Sequence, residues 1–273
     1  MKRLTINIPG DRGKLYEVIH YPAGEIQTRL TPEGIRACAD KEEYVIVANP
    51  IPDIIELAQL KDALDAESTV FYRKLELPYL PYARADRRFV KGDSFGLAVF
   101  ARLINSLHFD TVTTFDVHSA CAEVHINNLL NLDPIHHYDQ LTDCIKYLGG
   151  PNGVVLIAPD KGAKRRYDLE SYGLQVLEGE KVRDPKTGKL SGFKIDKRVA
   201  EYPSGLIVDD ICDGGGTFIG LGQEIRKLNP KMNLGLYVSH GIFSQGTEKL
   251  YEIFNAVFIS DFSFIGNYPF KKI

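Results

Sequence analysis

The chain is expected to be α/β, built as two domains that each carry a mainly parallel sheet flanked by helices. Three observations predict this. Short β-branched runs alternate with segments whose apolar residues recur at helical spacing, the signature of parallel strands joined by crossover helices. The strand candidates fall into two groups. And 273 residues are long for one core but ample for two.

In the first half the strand candidates are Leu4–Ile8, Tyr44–Ala48, Val70–Leu77 and Thr111–Phe115. In the second half they are Val154–Ala158, Leu174–Leu177, Gly205–Val208, Leu234–Val238 and Ala256–Ile259. Ile54, Leu57, Leu60 and Leu64 form one helical stripe, and Leu97, Phe100, Ala101, Ile104 and Leu107 form another. Further helices are expected over Gln140–Leu148, Lys161–Tyr172, Thr217–Leu228 and Gln245–Phe254. The stretch Asn131–Asp139, broken by Pro134, is the expected join, which gives domains of 1–137 and 138–273. The polar, basic stretch Gly179–Lys197 reads as a β-hairpin or solvated excursion around Thr187-Gly188, or as a mobile lid.

Composition narrows the function. The chain is 44% hydrophobic and 25% charged with a net charge of −3. That balance supplies no basic face for nucleic acid, although a local cluster can still hold phosphate. No apolar run approaches the roughly 20 residues that span a bilayer, and the N-terminal MKRLTINIPG is too short and polar for a signal peptide. The four cysteines, Cys38, Cys121, Cys144 and Cys212, have no C-x-x-C spacing. Reduced thiols and a cytoplasmic setting are expected.

The most informative run is LIVDDICDGGGTF, Leu206–Phe218. Its apolar start reads as a buried strand. Asp209 and Asp210 follow at the C-terminal strand end, where open α/β sheets bind ligands. A glycine turn then leads into a helix near Thr217, whose bare backbone amides and dipole suit a phosphate. A tight strand-to-helix turn with aspartate capping is the plainer explanation, and the paired aspartates with Asp213 make it the weaker one.

This run resembles the loop that binds phosphoribosyl pyrophosphate in type I phosphoribosyltransferases and in ribose-phosphate pyrophosphokinases. The resemblance implies two phosphoribosyltransferase-like domains. It places Asp209 and Asp210 on the ribose, and Asp213, Gly214, Gly215, Gly216 and Thr217 on its 5-phosphate. Other runs single out the kinases. PYLPYARADRR, Pro78–Arg88, is similar to their P-Y-x-R-Q-D-[RK] segment. It puts Arg84 and Asp86 at ATP, with Ala85 where the family has Gln. TFDVHSA, Thr114–Ala120, resembles [TM]-D-L-H-[AS] and implies that His118 lies near ATP and Mg²⁺. Asp116 is taken as its metal-site neighbour, on the same side if the strand continues; a structural histidine is the plain alternative.

IAPDKGAKR, Ile157–Arg165, resembles [SA]-P-D-x-G-x-x-K-R, read as one residue shorter. It places Asp160 on Mg²⁺, while a helix N-cap is its bland role. EKVR, Glu180–Arg183, is similar to the K-x-R of the family's catalytic loop, so Lys181 and Arg183 are the catalytic candidates. YPAGE, Tyr21–Glu25, resembles F-x-[DN]-G-E and implies adenine contacts by Tyr21, Gly24 and Glu25, often from a neighbouring subunit, hence a homo-oligomer. SHGIFS, Ser239–Ser244, resembles [TS]-H-G-[IL]-F-S and is read as scaffold.

The implied activity is Mg²⁺-dependent transfer of the terminal diphosphoryl group of ATP to the anomeric hydroxyl of ribose 5-phosphate. Three other readings stay open at this stage: the same transfer onto ADP-ribose, a type I phosphoribosyltransferase, and a catalytically silent subunit. Gly214, where the family usually has Thr, and Ala23 and Ala85 argue for a reshaped pocket. Neither nucleic acid nor a membrane is an expected partner.

Overall fold

The computed structural model describes residues 2–49, 53–132, 135–183 and 190–260, without the side chains of 135–138, 182–183 and 190–191. It divides into two compact units, Met1–Leu132 and Asp133–Ile273. The division falls within the expected join, between a strand that ends at Leu132 and a helix that begins at Ile135. The expected boundary at 137 lies inside that helix.

The first unit is built on five parallel strands: β1 (Arg3–Ile8), β4 (Glu43–Ala48), β5 (Tyr72–Leu77), β6 (Thr111–Phe115) and β7 (Leu129–Leu132), in that spatial order. A two-stranded antiparallel ribbon, β2 (Tyr16–His20) with β3 (Ile26–Leu30), precedes β4. Helix α1 (Pro32–Cys38) follows it. Thr31 caps α1 by accepting from Gly34 N–H, and Pro32 stands in the first turn, where its missing N–H costs nothing. Helix α2 (Ile54–Glu67) starts because Asp53 accepts from the Ile55 and Glu56 N–H groups. Its stripe Leu57, Leu60 and Leu64 is fully buried, joined by Leu97, Phe100, Ala101 and Ile104 of α3 (Gly96–Asn105). Each of these leucine, isoleucine and phenylalanine side chains contributes on the order of 1.5–3 kcal/mol by leaving water. Helix α4 (Cys121–His125) links β6 to β7.

The second unit opens with α5 (Ile135–Tyr147). Its sheet contains β8 (Val154–Ala158), β9 (Val176–Arg183), β10 (Leu190–Ile195), β11 (Ser204–Cys212), β12 (Asn233–Gly241) and β13 (Ala256–Ile259). The spatial order is β10-β9-β8-β11-β12-β13, and every pair is parallel except β9 with β10. Period-two alternation splits the core into two layers. Val155, Ile157 and Ile207 pack with Phe218, Leu221 and Ile225 of α7 (Gly216–Leu228) and Leu250 of α8 (Glu248–Tyr251). Val154, Leu156, Ala158, Leu206 and Val208 pack on the opposite face with α5 and with Ala163 of α6 (Lys161–Arg166).

The expected hairpin within 179–197 is present as β9 and β10, with Lys181 opposite Phe193; its turn lies outside the described residues. Two helices are shorter than expected. The Lys161–Tyr172 segment breaks after Arg166, where Asp168 takes a left-handed φ of 41°, and resumes as a 3₁₀ turn over Leu169–Tyr172. The Gln245–Phe254 segment is helical only over Glu248–Tyr251, because Gly246 sits at φ 76°. No helix among the described residues is long and apolar enough to cross a membrane.

Candidate active site

Strand order locates the site in the second unit. From β8 the chain moves to β9 on one side, and after β10 it returns to β11 on the other side of β8. Such a reversal opens a crevice at the carboxyl ends of the two diverging strands. Leu206 and Ile207 pair with Leu156 and Ile157, so Asp209 and Asp210, still in the stretch paired with β12, lie just past the last β8 partner, beside the Pro159-Asp160 step.

Asp209 is half-buried and Asp210 buried. Burial, the charge of Asp210 and, to a smaller extent, the charge of Asp160 hold the Asp209 carboxyl well above the usual carboxylate range. Asp210 has a cationic neighbour: Arg166 Nη1 lies 3.4 Å from its Oδ2, with both side chains largely shielded from water. Asp160 caps α6, its Oδ1 accepting from Gly162 N–H at 2.9 Å and Ala163 N–H at 3.1 Å. Its Oδ2 receives Lys181 Nζ at 3.2 Å. Burial pushes the Asp160 carboxyl up, but the two backbone N–H donors and Lys181 outweigh it and leave the group below its ordinary value. Asp160 is therefore both the N-cap and a member of the charged cluster. Lys181 stands on β9 across from it.

After Cys212 the backbone turns through Asp213 into α7. Gly215 has φ 75°, and a Cβ there would come 3.2 Å from Leu250 Cδ2, so only glycine fits. A Cβ on Gly216 would meet nothing within 4 Å, which leaves the first turn of α7 open to a ligand. The N–H groups of that turn have no partner further back in the helix, as at every helix start.

In the first unit, β5 and β6 are neighbours whose C-terminal ends carry segments 78–88 and 116–119. Asp86 joins the two segments. Arg87 grips it through Nε and Nη2, each at 2.9 Å. That grip, the Ser119 hydroxyl and the charge of His118 lower its pKa to about 2 against the opposing effect of burial. Arg84 is exposed one turn away. Tyr21, Gly24 and Glu25 form the β2–β3 tip, where Tyr21 and Glu25 are joined through Tyr21 N–H to Glu25 carbonyl at 2.9 Å. Together with Asp53 and Gln59 they line a cavity of about 720 Å³ against α2.

Asp116 does not share a strand face with His118. Strand β6 stops at Phe115, and Asp116 is buried in a left-handed conformation at φ 43°. The alternation that would set Asp116 and His118 on one side does not run through it. The Arg183 side chain lies outside the described residues. Arg166 and Ser119 were missed as site residues. Three basic residues follow one another at 164–166, and only the fold sorts them: Lys164 reaches Glu170 at 2.9 Å and Glu178 at 3.0 Å, while Arg166 turns to Asp210.

The donor set fits a hard divalent cation. Its donors are carboxylate oxygens, and the Asp209 carboxyl, raised first by burial and then by the charge of Asp210, would be eased by a nearby cation. No group of three or more His, Cys, Asp or Glu side chains among the described residues forms a closed metal site. Mg²⁺ is usually held by one or two carboxylates together with substrate phosphates.

No family model matches the chain. Individual relatives do. The ribose-phosphate pyrophosphokinase of Thermococcus kodakarensis is 30% identical over 254 residues, spanning 87% of this chain and 86% of the relative. This chain belongs to the ribose-phosphate pyrophosphokinase family. The Pyrococcus abyssi member is 29% identical over 236 residues, 84% of this chain and 77% of the relative. The crystal structure of phosphoribosylpyrophosphate synthetase from Mycobacterium smegmatis superposes with a TM-score of 0.75 at 18% identity, covering 98% of this chain and 93% of that one. The family's two-domain α/β architecture therefore extends over essentially the whole chain.

Proposed function

We propose that this ribose-phosphate pyrophosphokinase family member transfers the β,γ-diphosphoryl group of ATP to the anomeric hydroxyl of ribose 5-phosphate, releasing AMP and phosphoribosyl pyrophosphate. The carrying observation is the crevice of the second unit. There a pair of aspartates, an open glycine turn on a helix start and the Asp160–Lys181 pair share one end of the sheet.

The reaction demands positioning and charge neutralisation rather than covalent catalysis. The first turn of α7, with Asp213 and Thr217, seats the 5-phosphate. Asp209 and Asp210 hold the ribose hydroxyls. The raised Asp209 carboxyl accepts from vicinal hydroxyls and, when it carries a proton, also donates to them. Arg166 offsets the charge of Asp210 and holds it in place. The anomeric oxygen attacks the β-phosphorus, and Arg84, Lys181 and Arg183 meet the charge on the polyphosphate. Tyr21, Gly24 and Glu25 take the adenine, contributed by a neighbouring copy in a homo-oligomer, and Asp86 keeps the 84–88 segment beside His118. His118 and Asp116 in the first unit and Asp160 in the second are the proposed Mg²⁺ residues; the ion would supply charge screening to the polyphosphate.

Mass spectrometry of the products from ATP with ribose 5-phosphate and ADP-ribose in competition tests the reading. AMP with phosphoribosyl pyrophosphate is the expected pair. A pyrophosphorylated ADP-ribose would move the acceptor, and absence of AMP release from either mixture would overturn the proposal.

A further inference from the structure

The space a side chain at Gly214 would occupy is taken by another part of the chain. A Cβ built on Gly214 would lie 3.2 Å from Gln245 Cγ and 3.9 Å from Ser244 Oγ. Both residues belong to the exposed turn between β12 and α8. That turn is tied to the strand that delivers the glycine loop. The N–H groups of Ile242 and Phe243 both donate to the Cys212 carbonyl, at 2.8 and 3.1 Å. Phe243 is fully buried although its backbone is left-handed at φ 49°, a conformation that costs energy and persists only where the surroundings enforce it. Ser239 of β12, the strand that leads into the turn, is itself anchored by a hydrogen bond with Tyr167 at 2.9 Å. Gln245 is thus held over the rim of the loop by buried anchors, while its own end stays in solvent.

We infer that Gln245 is a phosphate-binding residue of this site, its carboxamide N–H donating to the phosphate seated on residues 214–217. The inference rests on the reading of that loop as the ribose-phosphate cradle. The residue type suits the place. Asp209, Asp210 and Asp213 already surround the cradle with carboxyl groups, so a neutral donor adds a bond without adding negative charge. A carboxylate at 245 would face both those groups and the ligand.

Isothermal titration of ribose 5-phosphate in the presence of Mg²⁺, on wild type, Gln245→Ala and Gln245→Glu, decides the matter, together with AMP release from ATP. Gln245→Ala is expected to weaken ribose 5-phosphate about ten-fold, the loss of one hydrogen bond to a charged group. Gln245→Glu should weaken it further, and the KM for ATP serves as the internal reference. Because the side chain is exposed, unchanged melting temperatures will show that neither substitution acts through folding. An unaltered Kd in Gln245→Ala overturns the inference, whatever Gln245→Glu does. If wild type binds ribose 5-phosphate but releases no AMP, the proposed reaction fails while the Kd series still decides Gln245. If wild type does not bind it, both fall.

Discussion

At the scale of single residues, the site is arranged against the stability of the empty protein. Asp209 is raised by burial and by Asp210. A carboxyl whose folded pKa lies above its unfolded value, about 3.9, favours the native state fully below that value. The contribution is lost as pH rises through the folded pKa, because the native state must then ionise in place. Asp209→Asn escapes that loss. Without ligands, the variant's melting temperature relative to wild type should rise between pH 5 and pH 8.5. The expected gain is roughly 1 kcal/mol, or about 2–4 °C, accompanied by loss of activity. A difference that stays flat or falls with pH would contradict the assignment. Lys181 bears on the chemistry itself. Lys181→Ala should lower kcat by roughly 10²–10³, as for loss of one transition-state donor; an unchanged kcat would remove it from the mechanism. Both residues could be proposed from the sequence alone, since Asp-Asp after an apolar run and K-x-R are local patterns. Arg166 was not, because choosing among Lys164, Arg165 and Arg166 requires knowing where α6 stops, and it stops at a left-handed Asp168.

At the scale of elements, the glycine loop separates two roles that look alike in the run GGG. Gly215 has positive φ and Leu250 at its back, whereas Gly216 is in the helical region and faces open space. Gly215→Ala should destabilise the second unit by about 1–2 kcal/mol, read as a lower denaturant midpoint. Gly216→Ala should leave that midpoint unchanged or slightly raised, since alanine favours a helix, while its methyl obstructs the cradle and raises the KM for ribose 5-phosphate. The reverse pattern would mean that the loop conformation is wrong. The same contrast explains which elements could be read in advance. Buried parallel strands announce themselves as runs such as VVLIA at 154–158, because both faces are covered. The ribbon β2–β3, helix α1 and strand β7 were missed. Tyr16–His20 has one buried residue followed by partly and fully exposed ones, so its sequence carries no clear period. Strand β7 has only four residues, none of them fully buried. Gly179–Lys197 is polar enough to pass for a loop; it holds β10 because Phe193 and Ile195 pack against the second core.

At the scale of the whole molecule, the candidate residues are shared between two units. Arg84, Asp86 and His118 belong to the first, and Asp160, Lys181 and the Asp209–Thr217 run to the second. Two substrates recognised by different units should leave separable footprints, because a ligand that binds only the native state suppresses local opening where it binds. Hydrogen exchange measured with a non-hydrolysable ATP analogue and Mg²⁺ should slow the amides of 82–88 and 116–119. Ribose 5-phosphate alone should slow those of 209–217 and, through the Cys212 carbonyl that holds Ile242 and Phe243, those of 242–246. At about a hundred times Kd the protection amounts to about 2.7 kcal/mol, well within reach of the method. Protection of 209–217 by the ATP analogue alone, with none from ribose 5-phosphate, would exchange the roles of the two units and leave the proposed assignment of the acceptor site without support.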